Sequence, residues 1–94
     1  MTTSADYKPT GRIDAGTAAA HERAIQELLV GEVNSIAINL SEVDFLSSAG
    51  LRVLLVAAKA AQTKGGKVVL ISPKPAVLEV LEASGFDKFI QIRV

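Results

Sequence analysis

Two adjacent serines and a glycine, Ser47-Ser48-Ala49-Gly50, hold the clearest chemical potential in this 94-residue chain. They follow the apolar run Phe45-Leu46 and precede Leu51-Arg52-Val53-Leu54, where helical spacing begins. A hydroxyl at such a junction is a natural helix N-cap and an accessible phosphate acceptor. A phosphoserine adds about −1.5 to −2 charges at neutral pH, and the positive end of a helix dipole favours that charge by roughly 0.3–1 kcal/mol. Phosphorylation there would change the surface and spare the fold, as a partner-binding switch requires. A serine that only caps the helix is the plainer alternative, and the two roles are compatible.

Other candidates for chemistry are thin. His21 is the only histidine, set inside a helical stretch beside Glu22 and Arg23 with no ligand spacing around it, which suits a surface or boundary residue. Ser48 has no base in an evident relay, and Ser-Ala-Gly lacks the G-x-S-x-G elbow, so a small hydrolase finds no support. Gly65-Gly66 follows a helix and precedes a strand, the reverse of the order that aims backbone amides at phosphate, and reads as a turn. Glu42 and Asp44 are loop carboxylates near the serines, with solvation as their simplest role. No catalytic residue, metal site or cofactor is expected, and the chain is not expected to be an enzyme.

The elements that must position the serines follow from pattern. The first ten residues are polar, contain Pro9, and allow at most a short edge strand. Gly11-Arg12-Ile13-Asp14 leads into a first helix with Asp14 as N-cap, an apolar stripe of Ala18, Ile25, Leu28 and Leu29, and Gly31 as stop. Ser35 to Leu40 is a strand with Ile36, Ile38 and Leu40 on one face and smaller or polar residues on the other. Val43 to Leu46 connects it to a second helix from about Ser48 to Thr63, ended by Lys64-Gly65-Gly66-Lys67. Val68 to Ile71 is apolar on both faces and reads as a central strand. Pro75 opens a third helix that buries Val77, Leu78 and Leu81 and stops at Ser84-Gly85. Phe89 to Val94 alternates as a last strand. Strands separated by helices predict a single α/β domain with a mostly parallel or mixed sheet and helices mainly on one side.

The second helix carries a further expectation. With Leu51, Leu54, Leu55, Ala58 and Gln62 turned inward, the opposite face collects Val53, Val56, Ala57 and Ala60, bordered by Arg52, Lys59 and Lys64. A valine- and alanine-rich outer face starting at a serine reads as a docking ridge; a more fully buried helix is the alternative.

Composition narrows the classes. Apolar residues make up 49% of the chain, which argues against disorder. Aromatics are only 4%, so the core is aliphatic and offers no platform for stacking bases. Ten basic and ten acidic residues leave no net charge to neutralise phosphates, so nucleic acid is not an expected partner. There is no cysteine, in keeping with a reducing cytoplasm. Met1 to Asp6 lacks the basic and apolar regions of a signal peptide, and no apolar run reaches the ~20 residues of a membrane span. The expectation is a cytoplasmic protein without membrane insertion, monomeric when free.

Three segments, in order, resemble the anti-sigma-factor antagonist family of STAS domains. Gly11-Arg12-Ile13-Asp14 with Thr17-Ala18 is similar to the family's G-x-(L/I)-D-x-x-T-A entry to its first helix. Asn39 to Leu51, containing Asp44-Phe45-Leu46-Ser47-Ser48-Ala49-Gly50-Leu51, resembles its switch segment, written D-S-S-G-L or S-S-A-G-L. Ser72-Pro73 with Val77, Leu81, Ser84-Gly85-Phe86 and Phe89 is similar to its last helix and exit. The likeness covers residues 11–94, which makes these the STAS-like domain and leaves 1–10 as a short N-terminal segment where the family has two strands. Aligned on Phe45 and Gly50, Ser48 falls on the phosphoacceptor and Ser47 on the aspartate that usually precedes it.

The resemblance implies partner switching. The unphosphorylated domain binds an anti-sigma factor that is also a serine protein kinase, and so releases a sigma factor. Phosphorylation at Ser48 ends that binding, and a metal-dependent PP2C-type phosphatase restores it. Asp14, Asp44, Ser47, Ala49, Gly50, Arg52, Val53 and Val56 are the expected switch-loop and partner-contact residues. The alternative is a STAS interaction subunit of a transporter or sensing complex that docks without phosphorylation.

Overall fold

The computed structural model describes residues 3–94. The elements run β1 (Ser4–Tyr7), β2 (Gly11–Ile13), α1 (Ala18–Leu28), β3 (Ser35–Asn39), β4 (Val43–Leu46), α2 (Ser48–Thr63), β5 (Val68–Ile71), α3 (Pro75–Ala83), a 3-10 turn (Phe86–Lys88) and β6 (Gln91–Arg93). Four strands form a sheet in the order β1-β3-β5-β6, and β2 and β4 form a separate pair. Every pairing is parallel. The single α/β domain with helical crossovers is the architecture that the pattern predicts.

Ile36, Ile38, Val68 and Leu70 lie fully buried along β3 and β5. Each such side chain stabilises the fold by roughly 1.5–3 kcal/mol over its exposed state. Leu54, Ala58 and Ala61 of α2 and Val77 and Leu81 of α3 complete the same cluster, with Ile13, Leu40, Val43 and Leu46. The core is aliphatic and alanine-rich, as the shortage of aromatics requires; Phe86 is its one aromatic member. The other face of the sheet holds a shallow concavity lined by Ser4, Ser35, Ala37, Lys67, Val69, Ile71 and Arg93. That face explains the small and polar alternate residues of β3.

The N-terminal segment is an edge strand of the main sheet: Ser4 to Tyr7 pair in register with Ser35 to Ile38. Residues 1 and 2 of that segment lie outside the described residues. A second short strand, β2, follows after three residues and pairs with β4.

Several local expectations need correction. Gly11 to Ile13 does not lead straight into α1 but forms β2, and Val43 to Leu46 is its partner strand β4, not a connection. Strands of three and four residues are too short for alternation to reveal. Asp14 is not the N-cap of α1; Thr17 occupies that position, and Asp14 folds the turn before it. The last strand is cut to Gln91–Arg93 because Gly85, at φ 80°, starts the 3-10 turn. That turn leaves Phe89 exposed against Phe86, with ring centroids 4.9 Å apart, and Ile90 buried. No helix among the described residues is long and apolar enough to cross a membrane.

Candidate functional site: the entrance of helix α2

Ser47 and Ser48 divide the two roles that a hydroxyl could play here. Ser47 is the N-cap, with extended backbone (φ −91°, ψ 177°), and its Oγ accepts the Gly50 N–H at 3.2 Å. Its backbone N–H donates to the Ile13 carbonyl at 3.0 Å, and its hydroxyl donates to the same oxygen at 3.4 Å. The cap is thereby latched to the end of β2. Ser48, the first helical residue, is exposed, and its hydroxyl has no hydrogen-bond partner among the described residues. The free hydroxyl belongs to Ser48, the serine that the sequence resemblance makes the expected phosphate acceptor.

Close approach explains Gly50. A Cβ there would lie 2.4 Å from the Ile13 carbonyl oxygen and 2.6 Å from Leu46 Cδ1, so only glycine lets the first turn of α2 sit on β2 and β4. Gly50 is therefore buried, with a packing role in the first turn of the expected switch segment. Ala49 is half-buried and Arg52 exposed.

Beside this entrance, the β2–α1 turn is knitted around Asp14. Its Oδ1 accepts the N–H groups of Gly16 (3.0 Å) and Thr17 (3.2 Å), while Oδ2 takes Arg12 Nε at 3.0 Å. The hydrogen bond from Arg12 holds the Asp14 carboxyl below the usual carboxylate range, helped by the Gly16 N–H and the Thr17 hydroxyl. The Arg12 guanidinium also lies 4.2 Å above the Phe45 ring, which is 41% exposed. Asp44, on the neighbouring strand, is paired with Lys74, and Glu42 with Lys8 at 3.4 Å. The Arg12–Phe45 stack escaped the sequence reading because only the pairing of β2 with β4 brings the two together; the G-x-I-D string placed Arg12 near a turn and no nearer to Phe45.

The outer face of α2 is narrower than its pattern suggests. Val53 is 1% exposed and Ala57 is also buried, which corrects their assignment to a solvent-facing ridge. The cause is α1, which packs alongside α2, so that α2 buries one face on the sheet and another on its neighbour. What faces water is the stripe Ser48, Arg52, Val56, Lys59 and Thr63, at helical spacing. Gln62, expected inward, is exposed as well. Val56 stays at the surface as expected, 38% exposed, and forms the rim of a groove of about 150 Å³ between the helices, with Ile25, Leu29, Val53 and Ala60 among its lining.

His21 is half-buried and structural. Its Nδ1 lies 2.6 Å from the Tyr7 hydroxyl, joining α1 to the edge strand β1, and burial pushes the Tyr7 hydroxyl's pKa up.

The chain belongs to the STAS domain family, whose profile matches residues 3–94. Within that family its similarity runs to anti-sigma factor antagonists. The anti-sigma-B factor antagonist of Listeria monocytogenes is 30% identical over 88 residues, 94% of this chain and 77% of that protein. BtrV of Bordetella bronchiseptica is 47% identical over 51 residues, 54% of this chain, so the match spans less than half (44%) of the relative's own length. The anti-sigma factor antagonist SpoIIAA in its unphosphorylated form superposes with a TM-score of 0.81 over 100% of this chain and 83% of that one. At 19% identity the likeness to SpoIIAA is one of fold.

Proposed function

We propose that this chain is an anti-sigma factor antagonist switched by phosphorylation at Ser48. Unmodified, it binds an anti-sigma factor that is also a serine kinase, through the entrance and outer stripe of α2, and thereby frees a sigma factor. Transfer of a phosphoryl group from ATP to the Ser48 Oγ ends that binding, and a PP2C-type phosphatase reverses it. The domain is a ligand and a kinase substrate in the cytoplasm, with no chemistry of its own.

The observation that carries this reading is the division between the serines. Ser47 is committed to the cap and to the Ile13 carbonyl, so modifying its hydroxyl would cost the helix its cap. Ser48 is exposed with a free hydroxyl on the first turn, where added negative charge is well tolerated. The family relationship to the Listeria antagonist supports the same direction.

The test is intact-mass analysis of the purified chain with its cognate kinase and ATP. One added phosphate is expected on the wild type and on Ser47→Ala, and none on Ser48→Ala. Ser48→Ala should still bind the kinase and Ser48→Asp should bind poorly. Phosphate mapped to Ser47, or to neither serine, would overturn the reading; in the second case the phosphate-independent interaction subunit is the better account.

A further inference from the structure

Arg52 stands one helical turn beyond Ser48 on the same exposed stripe of α2. Residues i and i+4 of a helix are neighbours, and an anion placed N-terminal to a cation is the favourable order. No acidic residue lies anywhere on α2, and Arg52 has no ion-pair partner among the described residues. The other charged groups beside the entrance are already engaged. Arg12 is held by Asp14 and stacked on Phe45, and Lys74 is paired with Asp44. One cation near Ser48 is therefore free, and it sits where a phosphate on the Ser48 Oγ would meet it.

Building on the phosphorylation reading above, we infer that Arg52 is the intramolecular receptor of the Ser48 phosphate, and so works in both states of the switch. In the unmodified chain its guanidinium is an unpaired cation on the outer stripe, between the Ser48 hydroxyl and the exposed Val56, offered to an acidic contact on the partner. In the modified chain the phosphate oxygens take the guanidinium, with the forked geometry that suits arginine better than lysine. Phosphorylation then engages the guanidinium internally and leaves it unavailable to an acidic contact on the partner. Arg52 is a positioning residue for the phosphate: the change in net charge is the phosphate's own, and capture fixes where that charge sits and takes the guanidinium out of partner contacts.

The experiment needs neither kinase nor partner. Phosphoserine is incorporated at position 48 during translation, and the phosphorus-31 resonance is followed through its second ionisation. In the wild type that ionisation should fall about half a pH unit below its value in Arg52→Gln. Arg52→Lys should recover part of the difference, Arg12→Gln should leave it unchanged, and 1 M NaCl should largely abolish it. Phosphorylation should also raise the thermal midpoint of the wild type more than that of Arg52→Gln, whose exposed site lets the unmodified variant fold normally. An identical titration in wild type and Arg52→Gln, or a shift that follows Arg12 instead, would overturn the inference. Because the phosphate is installed directly, that failure is distinct from a kinase that ignores Ser48.

Discussion

The inner face and the outer stripe of α2 differ by one residue at a time. Ser47 caps the helix and holds the Ile13 carbonyl; Ser48 is free. Val53 is sealed between α1 and the core; Arg52 beside it is exposed and unpaired. Gly50 admits the backbone of β2 so closely that no side chain fits. The inner set fixes where the helix begins and which way it faces, and the outer set inherits that placement without contributing to it. Changes confined to the outer set can therefore leave the core beneath undisturbed.

Substitutions should separate the two sets by size of effect. The largest is Val53→Glu, which buries an unpaired carboxylate and should cost on the order of 3–5 kcal/mol, a large part of a small domain's stability. Val56→Glu, one turn-edge away on the stripe, should leave the urea midpoint nearly unchanged and weaken partner binding instead. Equal stability losses in both would erase the distinction between the faces. Gly50→Ala comes next, at about 1–3 kcal/mol, because its Cβ would press on the rigid Ile13 carbonyl. Ser47→Ala loses a cap and should cost about 1 kcal/mol by chemical denaturation, whereas Ser48→Ala should be close to neutral.

The smallest effect is a dependence on pH in the turn that supports the entrance. The Asp14 carboxyl is held below its ordinary value, so the ionised form is favoured by folding. Its contribution is complete above the unfolded-state value of about 3.9 and is lost as pH falls through the lower folded-state value. The urea midpoint of the wild type should therefore exceed that of Asp14→Asn at neutral pH, with the gap closing in acid. A gap that stays constant down to pH 3 would show that the turn depends on shape and not on charge.

Much of this arrangement is readable from residue types. Long periodic elements announce themselves: α2 spans Ser48–Thr63 and α3 begins at Pro75, where turn chemistry and hydrophobic spacing put them. The apolar run Val68–Ile71 is an inner strand of the sheet, between β3 and β6, with its first three residues buried. What escapes is whatever depends on a partner element. The pairing of β2 with β4 involves strands too short to carry a period, and it alone brings Arg12 over Phe45 and Ile13 to Ser47. The burial of Val53 likewise depends on where α1 lies, since the α2 sequence by itself offers two equally apolar flanks. The serine pair stands out by residue type, but which serine caps and which is free depends on the Ile13 latch.

The wholly parallel pairing of the strands has a consequence for how the molecule forms. Ser4 meets Ser35, Ile36 meets Val68, and Val69 meets Gln91, so no two neighbouring strands are joined by a tight turn. Among the described residues there is no hairpin to nucleate the sheet, and each pairing requires a loop closure whose entropy must be met before any ladder is gained. Topology of this kind, dominated by pairings distant in sequence, is expected to fold more slowly than a helical bundle of equal length. Ile13 and Ser47, distant in sequence and joined only by the latch, can come together no sooner than β2 and β4 are aligned. The Ser47 latch, which fixes where α2 begins, is thus completed only once β2 and β4 are paired.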